Sequence, residues 1–209
     1  IIHGSRTALL IGIVSALLGA TAGLILGLAS GYFGGTFDLI FMRFVDLFMA
    51  FPPLIMVMAI VATFGNDIHF VIFAISFSIV PDSTRIIRAS ALQVRRVPYV
   101  DAAISLGFGH ARIILRHMLP NVMASYLIIF TAAVGGAILA EAALSFLGLG
   151  VNEPTPAWGL MLQGGTEESM TGVYWTAVFP GVAITLAVFG FFIWGDALRD
   201  VLDPKLRRG

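Results

Sequence analysis

The sequence predicts an all-α protein that crosses a membrane several times, and three observations lead there. Hydrophobic side chains make up 58% of the 209 residues and charged ones 11%, with a mean hydropathy of +0.96. A soluble domain carries about 25% charged residues. The apolar residues gather into runs of roughly 20, the length a helix needs to cross about 30 Å of hydrocarbon. The cations, finally, fall almost entirely on one side of those runs. Net charge is zero, so nothing points to nucleic acid bound on a basic face. There is no cysteine, which removes thiolate metal sites, disulfides and a cysteine nucleophile.

Five spans are expected. The first, 7–33, holds no charge, and its Gly12, Gly19, Gly23 and Gly27 recur at helical spacing, which permits close packing against a neighbouring helix. The second, 37–64, carries Asp38, Arg43 and Asp46 in its first half, so that end belongs in the interface or inside a bundle, and Pro52-Pro53 bends it. The third, 69–88, has a short apolar part and contains Pro81. A polar segment, 95–120, follows, and Pro120 opens the fourth span, 121–147. Residues 148–172 are rich in Gly and Pro and read as a loop. The last span is 173–194, and a polar tail ends the chain, which forms a single membrane domain over 1–209.

With alternating crossings, the stretch near Arg43, residues 82–119 and the tail share one side. Those regions hold Arg43, Arg85, Arg88, Arg95, Arg96, Arg112, Arg116, Arg199, Lys205, Arg207 and Arg208, eleven of the twelve cations. The opposite loops carry Asp67, Glu153, Glu167 and Glu168 and no cation. The positive-inside rule therefore puts residues 82–119 and the C-terminus in the cytoplasm and residues 148–172 outside. An odd number of spans leaves residue 1 outside; with no signal peptide recognisable, one further span upstream is expected.

The central segment, "YVDAAISLGFGHARIILRHMLPN", departs from the surrounding pattern. Pro98 suits a first helical turn, Val100, Ala103 and Ile104 form one apolar stripe, and Asp101 lies where a carboxylate favours the helix dipole. Gly107 supplies a left-handed stop, and a second short helix from about His110 to Met118 returns the chain to the membrane. Such a short rigid helix either docks into a groove of a soluble partner or lies at the lipid interface with its arginines on phosphates. Asp101 caps the helix or takes a cationic partner. His110 and His117 lie two helical turns apart without an acid to complete a metal site, and they read as cytoplasmic surface residues.

This stretch resembles the EAA loop of permease subunits of binding-protein-dependent ABC importers: an acid, two alanines, three residues, a glycine, then nine residues before an apolar-x-Leu-Pro ending. Here those positions are Asp101, Ala102, Ala103, Gly107, His117, Leu119 and Pro120, with Asp in place of Glu and His117 in place of an aliphatic residue. A literal EAA at Glu141 to Ala143 lacks the downstream Gly and Leu-Pro. "GSRTALLIGIVSALLGATAGLILGLASGYFGG" and "EAALSFLGLGVNEPTPAWGLML" are similar to the dipeptide and oligopeptide branch of that family, which includes nickel and glutathione importers.

The resemblance implies the type I ABC importer transmembrane fold, with six spans in the intact subunit, in a bacterial or archaeal cytoplasmic membrane. It implies a coupling helix seated on an ATP-hydrolysing subunit, with Tyr99, Asp101, Ala102, Ala103, Gly107, His117, Leu119 and Pro120 at that interface. The implied partners are a second homologous permease, two ATP-binding subunits carrying ATP and Mg, an extracytoplasmic solute-binding protein and membrane lipid. No cofactor is expected on this chain, which has no phosphate-cradling G-x-x-x-x-G-K-[ST] loop. The cargo is a di- or oligopeptide, with nickel or glutathione as alternatives.

Glu141 is an acid deep in a span, where acids face a cavity or a polar partner. It either lines the path and meets a cationic group, or makes a hydrogen bond between helices near an outer gate. Trp158 either contacts a binding protein or gate, or anchors the chain at the interface. An ion-coupled secondary transporter using Glu141 is the expectation from another class; it requires inverted repeats that the sequence does not display. An enzyme is not expected, since no nucleophile–base pair or HExxH motif is present.

Overall fold

The computed structural model describes residues 1–170 and 172–202, save the side chain of Glu167. The cations Lys205, Arg207 and Arg208 and the end of the polar tail lie outside the described residues. The chain runs through α1 (Ile2–Phe33), α2 (Gly35–Met49), α3 (Pro53–Phe64), α4 (Ile68–Arg95), α5 (Pro98–Ser105), α6 (His110–Ile113), α7 (Leu119–Phe146), α8 (Trp158–Ser169) and α9 (Trp175–Leu202). A π-helical turn, Ile114–Met118, joins α6 to α7.

Among the described residues, four helices are long and apolar enough to cross a membrane: α1, α4, His110–Phe146 and α9. Helices α2 and α3 make a fifth crossing if a pair bent by 83° counts as one. The bend falls at Pro52 and Pro53, as Pro at a helix start dictates. Pro81, by contrast, lies inside α4 without ending it.

The glycine stripe of α1 decides the core. A Cβ on Gly19 would stand 2.6 Å from the Ser76 carbonyl, one on Gly27 2.7 Å from the Thr84 carbonyl, and one on Gly31 2.6 Å from Ala91 Cβ. These pairs advance together, so α1 and α4 run parallel with their backbones in contact, a spacing only missing side chains allow. Gly12 meets Ile138 of α7 in the same way. Helix α9 runs antiparallel to α7, with Gly195 against Thr131 and Gly135 against Phe192.

These directions gather Ile1, Asn66, Asn152 and Trp158 at one end of the bundle, where the Asn66 and Asn152 side chains exchange two hydrogen bonds. Tyr32, Ile87, Val100, Ile113 and Met118 gather at the other end.

Three expectations are corrected. Residues 148–172 are not all loop, because Trp158–Ser169 is a helix packed on α7 and α9; Gly159 and Gly165 let it approach the Ala142 carbonyl and the Ala177 backbone. Pro120 does not open the fourth span, which begins at His110. Lacking an N–H, Pro120 leaves the Arg116 carbonyl without its usual donor, and the wider π turn carries the helix past the ring. The third span does not stop at 88 but continues to Arg95.

Helix α2 is fixed to α4 by charge. Arg88 grips the Asp38 carboxylate through Nε and Nη2, Ser30 Oγ donates to the same carboxylate, and Arg85 pairs with Asp46. Two arginines counted on the cytoplasmic side thus sit within a long helix and face acids of its neighbour.

Candidate functional site

Three regions carry the polar groups singled out above: the α5 corner, the Glu141 pocket and a cavity between α4 and α7. In the corner, Pro98 takes the first turn of α5, and Gly107 ends it at φ +76°. Gly107 N–H donates to the Ile104 carbonyl (2.9 Å) and Phe108 N–H to that of Ala103 (3.2 Å), a Schellman close that a side chain at Gly107 would strain. Val100 and Ala103 are buried with Ile87, Ala91, Ile113 and Met118. Tyr99, Asp101, Ala102, Gly107 and Pro120 are exposed, and His117 and Leu119 are half-buried.

Asp101 takes Arg95 of the same chain at 2.8 Å rather than standing free. Tyr99 Oη and Asn121 Nδ2 both donate to the His117 carbonyl, at 3.2 and 2.8 Å. His117 is not a surface residue: its ring stacks on Phe108 (centroids 6.0 Å, 21° between planes), and Tyr99 flanks it. Its position explains why a ring replaces an aliphatic side chain there. His110, exposed, shares a 2.7 Å hydrogen bond with Tyr32 Oη and so ties the end of α1 to α6. Leu106 (73% exposed) and Leu115 (63%) stand out from this end of the bundle; neither was anticipated, since helical spacing alone does not reveal which apolar side chains a corner leaves uncovered.

Glu141 is fully buried, and Oε1 accepts the Ser145 Oγ proton at 2.8 Å, one turn along the same helix. It lies on the stripe of α7 that includes Val134 and Ile138, packed with Ala8 and Ala16 of α1. Trp158, 5% exposed, donates its indole N–H to the Ile1 carbonyl (3.0 Å) and covers Gly4. Trp158 thus packs α8 against the start of α1.

The third region is a cavity of about 680 Å³ between α4 and α7, reached by Pro53 of α3 and Arg199 of α9. Ile75, Ser78, Asp82 and Ile86 line it from α4, and Ser125, Ala132, Gly136 and Ala140 from α7, each set at helical spacing. Glu141 is not among its lining residues; the acid that faces it is Asp82. Asp82 follows Pro81 and an apolar run ending at Val80, so composition places it at the edge of a span rather than at the middle of α4. No cluster of metal-ligating side chains occurs among the described residues.

Residues 23–208 match the family of the binding-protein-dependent transport system inner membrane component. The chain belongs to that family. It is 42% identical over 211 residues to a putative peptide transport system permease protein of Brucella suis biovar 1, covering 99% of this chain and 69% of the relative. It is 39% identical over 207 residues to the glutathione transport system permease protein GsiD of Escherichia coli O6:K15:H31, covering 99% and 68%.

Among solved structures, this permease is similar to a chain of the MetNI methionine ABC transporter in inward-facing conformations, with a TM-score of 0.78 at 16% identity over 97% of this chain and 96% of that one. It is also similar to a chain of an amino acid ABC transporter solved with histidines, with a TM-score of 0.62 at 19% identity over 100% and 93%. The fold is thus that of ABC importer permeases, and the chain is a multi-pass inner-membrane transport component, as its central motif implied. The secondary-transporter expectation finds no support in these relatives.

Proposed function

We propose that this permease subunit moves short peptides into the cytoplasm by alternating access, driven by ATP hydrolysed on partner subunits. The observation that carries the reading is the two-sided α5. Its inner face, Val100 and Ala103, is buried against α4 and the turn leading into α7, the two helices that line the cavity. Its outer side offers Tyr99, Asp101 and Ala102, with Leu106 and Leu115 beside it.

A push on that outer side passes through close-packed side chains into the cavity walls, since packed interfaces shift as units rather than deform. Two ATP-binding subunits with ATP and Mg supply the push. A second, homologous permease closes the other half of the cavity, and an extracytoplasmic solute-binding protein delivers the cargo. The chain acts as one membrane domain embedded in lipid, with the α5 corner and the C-terminus cytoplasmic; residues 82–95, expected in the cytoplasm, belong to α4 instead. Its own role is conformational and not catalytic, and it carries no cofactor. The names of the relatives support peptide or glutathione as cargo over nickel.

Co-purification of the complete complex tests the docking role. Asp101→Arg with Gly107→Pro removes both the acidic face and the left-handed stop, and Leu106→Glu leaves the backbone untouched. Both variants are expected to lose the ATP-binding subunits while retaining the partner permease. Full retention by both would remove α5 from the interface.

A further inference from the structure

We infer that the α4–α7 cavity holds the peptide by its two termini, with Asp82 facing the α-ammonium group and Arg199 the α-carboxylate. The inference deepens the proposed peptide reading and rests on it. Asp82 lies midway along a helix long enough to cross the membrane, where a carboxylate is costly unless it faces the bundle interior or an aqueous cavity, and where such residues mark substrate pathways.

The acids around it are handled otherwise. Asp38 and Asp46 are satisfied by Arg88 and Arg85, and Arg85, one turn from Asp82 on α4, turns to Asp46 instead. Among the described residues Asp82 has no ion-pair partner, and neither has Arg199. Both are exposed, and both line the same cavity, whose other walls are chiefly aliphatic side chains with Ser78, Ser83 and Ser125 as neutral polar groups.

One negative and one positive group, unpaired in an apolar cavity of about 680 Å³, complement a zwitterion of drug-like size. A free short peptide is such a zwitterion, whatever its side chains, and glutathione carries the same two groups. A bare divalent cation fits poorly, because Arg199 opposes it. Aliphatic walls without further charged groups suit cargo whose side chains vary, so the permease reads the termini and leaves the side chains unread.

The test uses the permease–ATPase complex in two forms. In detergent without the solute-binding protein, equilibrium binding of radiolabelled dialanine is competed with unlabelled dialanine, N-acetyl-dialanine and dialanine amide. In proteoliposomes with the binding protein, ATP-dependent dialanine import is followed. The native complex is expected to bind dialanine and to prefer it over each blocked form by about ten-fold or more, the range of a charge-assisted hydrogen bond.

Asp82→Asn is expected to abolish the preference over the N-acetyl form alone, Arg199→Gln that over the amide alone, and Asp82→Glu to keep both. This crossed pattern would not arise from a purely structural role. If the native complex imports dialanine but binds it without end preference, or both variants bind as the native complex does, the terminal site is overturned and the importer reading stands. If the variants fail to assemble, the two charges belong to the permease–permease interface, and the site is overturned likewise. If the native complex imports no dialanine, the peptide reading falls and this site with it.

Discussion

Glu141 and Asp82 are both carboxylates on helices long enough to cross a membrane, and their surroundings are opposite. Glu141 is sealed among α1, α7 and α8, with Oε1 held within its own helix by Ser145 and Oε2 buried without a hydrogen-bond partner among the described residues. Asp82 stands exposed in a cavity without an internal partner among the described residues. Around Glu141 glycines admit neighbouring backbone, as Gly159 does with Ala142, whereas Gly136 on the cavity wall has nothing within 4 Å of where its Cβ would be. A buried acid in a membrane helix therefore need not lie on the transport path. Burial here accompanies packing, and the proposed path runs where an acid is exposed inside the bundle.

The sharpest way to break this contrast is a matched pair of glycine substitutions. Gly159→Leu forces a side chain into the Ala142 backbone and is expected to lower stability by more than about 3 kcal/mol, seen as loss of the folded complex in detergent thermal unfolding. Gly136→Leu adds the same side chain to open space, where it gains about 0.5–1 kcal/mol of helix propensity. The melting temperature should hold or rise while peptide import falls, because the added side chain fills the cavity. Equal destabilisation by both would erase the distinction between the two regions.

A smaller effect is expected from the acids themselves. Glu141→Ala empties a packed volume and strands the Ser145 hydroxyl, costing about 2–3 kcal/mol in thermal unfolding. Glu141→Gln keeps the hydrogen bond and should stay within about 1 kcal/mol of native, with import retained. Asp82→Asn should leave the melting temperature in place and alter peptide binding. An import defect in Glu141→Gln, with stability intact, would return that residue to the path.

The smallest effect belongs to the far end of the bundle. Tyr32→Phe removes the hydrogen bond to His110 and should cost about 1 kcal/mol, with a measurable fall in the coupling of ATP hydrolysis to import. Unchanged coupling would mean that the α1–α6 tie is structural only.

Much of the corner was legible in the sequence. Pro98 and Gly107 bracket an eight-residue helix because each has a backbone preference that holds wherever it occurs. Spacing alone gave Val100 and Ala103 as inward residues, but it also set Ile104 on that stripe, which the structure leaves 38% exposed, and it did not give the stacking of His117 on Phe108 or the internal pairing of Asp101 with Arg95. Trp158–Ser169 was missed as a helix because its Gly-rich composition suggests a loop, while those same glycines serve its packing.

The sequence by itself determined the class of the protein. Apolar runs of spanning length, a charge-free glycine stripe and a corner bracketed by Pro98 and Gly107 impose helices, close packing and a short terminated helix through local preference and desolvation, which need no knowledge of neighbours. Only the tertiary structure decided which acid faces the cavity. Ala140 and Glu141 are adjacent residues about 100° apart around one helix axis, so the rotation of α7 against α1 turns the first to the cavity and the second into the core. That rotation is set by side chains from α1, α8 and α9 acting together, and no single segment contains it.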